Sequence, residues 1–309
     1  MPDWKRLAIP ALVLCAVCSL SLEAVAGPDW AYNPYWEPDA GYYDGFDALY
    51  GNDLKDALHD KLESEHVTLA YDAAQEMCRK ADGDPASAEI FAGQVFYWNV
   101  YTVYDDVSRS SSWNREHMWP NYRQDSSGSP PDYTDFHNLR ACESSINTSR
   151  SYRNYGGDSG GGGTTDFGHD GAYWYPGDEH KGDVARAMFY MTTRYTHLDL
   201  VNGNPGAGYS GLLGDLDKLL QWHEEDPVNN YELRRNNIIE TGTFIGPDDQ
   251  IYSVMYQGSV AAQGNRNPFV DNPEWVEYIF DPDFTPPEDV PGDFNGNGVL
   301  DAGDIDLLS

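Results

Sequence analysis

Three short runs between Trp113 and Tyr155 carry residues whose types and spacing suit chemistry: Asn114-Arg115-Glu116-His117-Met118-Trp119-Pro120, Asp135-Phe136-His137-Asn138-Leu139-Arg140 and Ile146-Asn147-Thr148-Ser149-Arg150. Cleaving a phosphodiester needs a base for water, a cation for the developing negative charge, and donors that hold the phosphate. His117 can be the base at neutral pH. Glu116 and Asn147 offer hard oxygen ligands of the kind Mg²⁺ takes, a cation that keeps most of its waters and few protein ligands.

These residues need elements that point them at one place. Neighbours on a regular strand face opposite ways, so Glu116 and His117 share a site only at a strand end or bend. The following Trp119-Pro120 favours such a break. Asn147 and Arg150 are three apart, which on a helix puts them on one face. Tyr133 to Leu139 reads as the strand between. Around this segment, Leu54, Leu58 and Leu62 share a helical face, as do Ala73, Ala74, Met77 and Cys78 after Asp72. Val184, Ala187, Met188, Met191 and Tyr195 form a third apolar stripe. Asp226-Pro227 and Asn272-Pro273 each place a capping side chain before a proline suited to a first helical position. Val95, Tyr97, Tyr101 and Val103 alternate as in a strand. Gly156 to Gly163 reads as a surface insertion. The fold class is α+β.

At the start, Lys5 and Arg6 precede an apolar run that ends at Ala24-Val25-Ala26. This pattern reads as a signal peptide over residues 1–26 and an exported mature chain. The charges lost with it sum to zero, so the mature chain keeps the net charge of -32. That balance opposes nucleic-acid binding by bulk electrostatics. Cys78 and Cys142 are the cysteines left after processing; pairing and two buried free thiols are both open. Residues 27–283 read as one large domain. Residues 284–292, rich in proline, form a stiff linker.

The last segment, 293–309, begins with Asp293-Phe294-Asn295-Gly296-Asn297-Gly298-Val299-Leu300-Asp301. Oxygen side chains fall at loop positions 1, 3, 5 and 9, with Gly298 at the turn, as in a calcium loop. Asp293, Asn295, Asn297, the Val299 carbonyl, Asp301 and Asp304 are the expected Ca²⁺ ligands. Asp304 at position 12, where an EF-hand has Glu, makes the segment resemble one dockerin repeat. Such repeats dock on cohesin-like or cell-surface partners and usually come in pairs; one is present here.

The runs at 114–120, 135–140 and 146–150 resemble the ββα-metal (His-Me finger) core of the endonuclease I family, whose members show Asn-Arg-Glu-His-x-Trp-Pro, Asp-Leu-His-x-Leu-Arg and Val-Asn-x-x-Arg in this order. Lys181-Gly182-Asp183-Val184, Trp222-His223-Glu224-Glu225, Arg234-Arg235-Asn236-Asn237 and Gln263-Gly264-Asn265-Arg266 resemble later family segments, and Leu54 to His59 an earlier one. The resemblance covers about residues 45–280. It implies a mixed helical domain around that core, a secreted non-specific endonuclease acting on DNA and possibly RNA. It also implies His117 as general base, and one divalent cation, Mg²⁺ or Mn²⁺, held by Glu116 and Asn147. An arginine would bind the phosphate, with Arg123, Arg140 and Arg150 as open alternatives. Six arginines and no lysine fall between Arg109 and Arg153, and the guanidinium fork suits phosphate. Phe136 and Ala141-Cys142 depart from the family pattern at positions that touch no proposed ligand. Arg234, Arg235 and Arg266 read as structural, and His137 as the other histidine nearest the site. Two other classes fit the sequence less well. A calcium-dependent attachment protein with a decayed core would have lost Glu116, His117 or Asn147. A polysaccharide hydrolase would need a carboxylate pair that the sequence does not offer.

Overall fold

In a computed structural model of the chain, residues 32–82, 113–124, 129–160, 167–206, 208, 210–246 and 248–286 are described. The expected signal peptide, the strand at Val95–Val103, most of the linker and the calcium loop lie outside them.

Helices carry the core. α1 (Gly51–Glu65) and α2 (Ala73–Ala81) come first. Leu54, Leu58 and Leu62 of α1 are fully buried, each burial worth about 1.5–3 kcal/mol. The site region follows as β1 (Trp113–His117), β2 (Leu139–Glu143) and α3 (Ser144–Arg150). A small sheet contains β3 (Asn154–Tyr155), β4 (Gly168–Asp170) and β5 (Tyr173–Tyr175), in the order β3-β5-β4. Next is α4 (Lys181–Arg194), buried on every side from Gly182 to Arg194. The pair β6 (Asp199–Leu200) and β7 (Leu212–Leu213) leads to α5 (Leu216–Glu225) and α6 (Asn230–Thr241). Two further ribbons are β8 (Thr243–Ile245) with β9 (Ile251–Ser253), and β10 (Met255–Tyr256) with β11 (Ser259–Val260). The short α7 (Pro268–Asp271) and α8 (Trp275–Phe280) complete the set.

α4 is the axis. α1, α5 and α7 pack on it, and Gly182 lets α5 come close: a Cβ there would meet the Asp226 carbonyl at 2.0 Å. α2 packs on α6 and on β2, closing a second apolar cluster around Met77, Leu139 and Ile238. The class is α+β, as the sequence implies.

Three local expectations are corrected. The segment 133–138 is not a strand: Asp132 Oδ1 accepts from the Tyr133 amide and Asp135 Oδ1 from the His137 amide. Those side-chain turns take backbone donors a ladder would need, and β2 starts at Leu139. α6 is capped by Asn229, not Asp226, through a capping box with Glu232. The Asp226 carboxylate is already used, accepting from the Gly182 amide at 2.9 Å. Asn267, not Asn272, caps a helix with proline at its first position.

Candidate nuclease site

β1 and β2 form an antiparallel ribbon in which Glu116 stands opposite Arg140 and His117 opposite Leu139. β2 runs directly into α3, which packs back on both strands. Beyond the last ladder residue the pairing is prolonged by a side chain. Asn138 Oδ1 accepts from the Trp119 amide at 2.6 Å, and its Nδ2 donates to the Trp119 carbonyl at 3.3 Å. Met118 and Trp119 are buried in the core. The break after His117 is therefore held from both sides, and Glu116 and His117 line one cleft despite being neighbours.

Arg150, fully buried, ties α3 to that break. Its Nη1 donates to Glu116 Oε1 at 3.2 Å and to the carbonyls of His117 and Ser151; Nη2 donates to the Met118 carbonyl at 2.6 Å. Its guanidinium also lies over the Tyr155 ring, 4.7 Å from the centroid.

His117 is 8% exposed and packs against a pair of rings that also touch each other, Tyr133 at 4.6 Å and Tyr71 at 5.6 Å, with 4.7 Å between the two tyrosines. Its Nε2 is 2.8 Å from the Tyr133 carbonyl. A carbonyl can only accept, so Nε2 carries the proton and Nδ1 of the neutral ring keeps its lone pair. Burial pushes the imidazole down to about 4, so it is neutral at pH 7. Glu116 is 4% exposed. Burial raises its carboxyl to about 7, against the opposing pull of Arg150. Asn147 is half-buried and donates from Nδ2 to Asn114 Oδ1 at 2.8 Å. With Nδ2 committed, Oδ1 is the atom left to act as an acceptor or ligand.

The cleft, about 220 Å³, is lined by Arg115, Glu116, His117, Asn147, Arg150 and Tyr152 among others. No group of three or more His, Cys, Asp or Glu that could hold a metal occurs among the described residues. Glu116 is the only carboxylate among them that lines the cleft, and the amide oxygen of Asn147 stands with it, a set unlike a zinc site. They fit a hard, water-rich cation such as Mg²⁺.

The three candidate arginines separate. Arg150 lines the cleft but spends its donors on the protein. Arg123, buried, donates to the carbonyls of Tyr152 and Leu212 and lines a neighbouring cavity. Arg140 stands opposite Glu116 in register, yet its guanidinium donates to the His137 carbonyl. It lines a different, small cavity with Asp183 and Glu232. His137 is there too, donating from Nε2 to the Asn265 carbonyl, so it does not reach the cleft.

Sequence reasoning gave no role to Arg115, Tyr71, Tyr133, Tyr122 or Tyr152. Arg115 lies over the Tyr71 ring at 3.8 Å and donates to the Tyr71 carbonyl and to Asp72. The tyrosines come from loops that only the folded chain brings to His117, and no periodicity marks them. A larger cavity, about 560 Å³, lies between α5 and α8 and is lined by Glu224, Glu274, Glu277 and Asp281. Its charge is the wrong sign for a phosphate, so size does not decide the site.

The sequence model of the Endonuclease I family matches residues 50–243. Over 280 residues the chain is 33% identical to an extracellular ribonuclease of Bacillus subtilis (strain 168), covering 84% of this chain and 83% of that one. It is 34% identical over 258 residues to an extracellular ribonuclease of Bacillus amyloliquefaciens, covering 77% and 78%.

Proposed function

This chain belongs to the endonuclease I family and is a nuclease that hydrolyses phosphodiester bonds; from that premise we propose a secreted enzyme that cuts DNA and RNA without base reading, using His117 as general base. The observation that carries the reading is the bond from Nε2–H of His117 to the Tyr133 carbonyl, which leaves Nδ1 unprotonated on a ring that lines the cleft shared with Glu116 and Asn147. Nδ1 takes a proton from water as the water oxygen attacks phosphorus. The bond from phosphorus to the 3′ oxygen breaks, and that oxygen leaves to be protonated by solvent. The Tyr133 carbonyl holds the ring in register and stabilises the imidazolium that forms. The adjoining rings of Tyr71 and Tyr133 packed against it help to fix its plane. Arg150 positions Glu116, and Arg115 and Arg150 give the cleft wall positive charge for the phosphate backbone. Glu116 and Asn147 would hold a divalent cation, which when bound supplies charge stabilisation to the phosphate. RNA is included because both curated relatives are named ribonucleases, and export because both are named extracellular and residues 1–26 read as a signal peptide. No helix among the described residues is long and apolar enough to cross a membrane.

The test is nicking of supercoiled plasmid and degradation of single-stranded RNA by residues 27–309 with Mg²⁺, beside EDTA and His117→Ala controls. Metal-dependent cleavage that falls about 10²–10⁴-fold in the variant is expected. A His117→Ala protein as active as the wild type would remove the assigned base.

For the segment after the linker, we infer a single Ca²⁺ loop formed by Asp293, Asn295, Asn297, Val299, Asp301 and Asp304, on the strength of its ligand spacing. Calorimetric titration with Ca²⁺, against an Asp293→Ala/Asp304→Ala chain, tests it. Equal binding by both would rule the loop out, and a cohesin-like partner would lose its rationale.

A further inference from the structure

We propose that Tyr122 and Tyr152 form a stacking platform for an unpaired nucleobase, so that the enzyme favours single-stranded over duplex substrate. The proposal rests on the nuclease reading above. The two rings lie 5.0 Å apart at 34° on the wall of the cleft that holds His117. They are 40% and 43% exposed, which makes them two of the few large apolar side chains open to solvent among the described residues.

An exposed tyrosine pair gains little by being there unless something covers it, and this pair is held firmly. Tyr122 belongs to a 3-10 turn, Asn121–Arg123, and Tyr152 follows α3. Arg123, the neighbour of Tyr122, is 2% exposed and donates from Nε to the Tyr152 carbonyl at 2.7 Å. One buried guanidinium therefore ties together the two segments that carry the rings. Burial lowers it to about 10, which leaves it charged at neutral pH. Ser151, in the left-handed region at φ 55, turns the chain out of α3, so Tyr152 follows directly on the Arg150 anchor.

Tyr152 also forms the boundary with a second cavity, about 270 Å³, lined by Arg123, Arg153, Asn154 and Asn204. The two cavities share Ser151 and Tyr152. A strand laid across them has its scissile phosphate beside His117 and the next phosphate near Arg153, with the intervening base against the rings. The Nε and Nη1 of Arg153 donate to the Gly171, Ser149 and Arg150 carbonyls, and the side chain offers that phosphate its charge. Every base has a π-face, so such stacking is indifferent to sequence, and it is open only to a base not already stacked in a duplex. Positive charge at the two phosphates, in a chain of net charge -32, is local and follows the same path.

The experiment compares a fluorescein-labelled single strand with the same strand in a blunt duplex, cut by the full mature chain with Mg²⁺. In Tyr122→Ala/Tyr152→Ala the single-strand to duplex ratio of kcat/KM should fall about tenfold, carried by KM. Tyr122→Phe/Tyr152→Phe should keep the wild-type ratio, because stacking survives loss of the hydroxyls. In a second arm, His117→Ala protein should quench a 2-aminopurine-containing single strand, and the added double alanine change should remove the quenching. An equal loss on both substrates, no loss at all, or quenching that survives the alanines overturns the proposal. If the wild type cuts neither substrate, the nuclease mechanism falls by itself, and the quenching arm still decides the stacking site.

Discussion

Glu116 and His117 differ in what burial does to them, and the difference matches the tasks proposed for them. Removing a carboxylate from water favours its proton, whereas removing an imidazole disfavours its own. His117 is thus a ready acceptor, and Glu116 is a carboxyl that needs nearby positive charge to ionise. Glu116→Gln keeps a hydrogen-bond partner for Arg150 and deletes that charge. Its Mg²⁺ or Mn²⁺ affinity by calorimetry should drop at least about tenfold; a variant that binds as well as the wild type would take Glu116 out of the cation site. Away from the cleft, His223 donates from Nε2 to the Pro273 carbonyl at 3.0 Å. Burial, reinforced by Arg186, lowers its imidazole to about 4. The unfolded chain, near 6.5, takes up that proton first, so the stability His223 lends is whole above about pH 6.5 and drains away as pH falls toward 4. Against His223→Gln, the wild type should lose roughly 2–3 kcal/mol of unfolding free energy between those limits. Parallel urea-derived curves would contradict this.

At the scale of elements, the ribbon and α3 work because Arg150 fastens them. Arg150→Met is nearly isosteric in its stem but leaves Glu116 buried without its partner and removes a donor from the carbonyls of His117, Met118 and Ser151. Such a break costs about 3–5 kcal/mol, to be read as a lowered urea midpoint with cleavage reduced even at temperatures where the variant is folded. A midpoint within experimental scatter of wild type would show that α3 is held by apolar packing alone. This element level also explains what the sequence makes legible. α1, α2 and α4 follow from leucine, alanine and methionine stripes, since periodic burial leaves a periodic record. The strand end at His117 follows from the need to turn two neighbours into one cleft. β2 is misplaced by sequence reading because aromatic and threonine residues at 133–136 mimic a strand while Asp132 and Asp135 divert the backbone into turns. Arg140 is equally opaque: its register beside Glu116 suits a phosphate donor, and only the fold shows its guanidinium turned to the His137 carbonyl.

For the molecule as a whole, the net charge of -32 and the arginines along the two cavities pull in opposite directions. The overall field repels a polyanion over a range that reaches about 30 Å at 0.01 M salt and shrinks to about 10 Å at 0.1 M. Guanidinium–phosphate contacts are weakened by salt as released counterions accumulate. The value of kcat/KM should therefore rise with NaCl at first and fall at higher concentration. A monotonic decline from 0.01 M would mean that the distant carboxylates are not felt at the cleft. Cys78 and Cys142 are both buried and do not bridge each other, so among the described residues packing and polar contacts hold the domain.

What holds it is α4, whose Tyr190 hydroxyl reaches the Asp135 carboxylate at 2.8 Å, joined there by Tyr195 at 2.7 Å. Asp135 in turn shapes the loop that launches β2. The ribbon that carries Glu116 and His117 is thus moored to the most deeply buried helix, not to a peripheral flap. In deuterated water the amides of α4 and of β2 should share one slow exchange rate, set by unfolding of the entire domain. An enzyme arranged in this way keeps its cutting edge for as long as it keeps its fold, and loses both together.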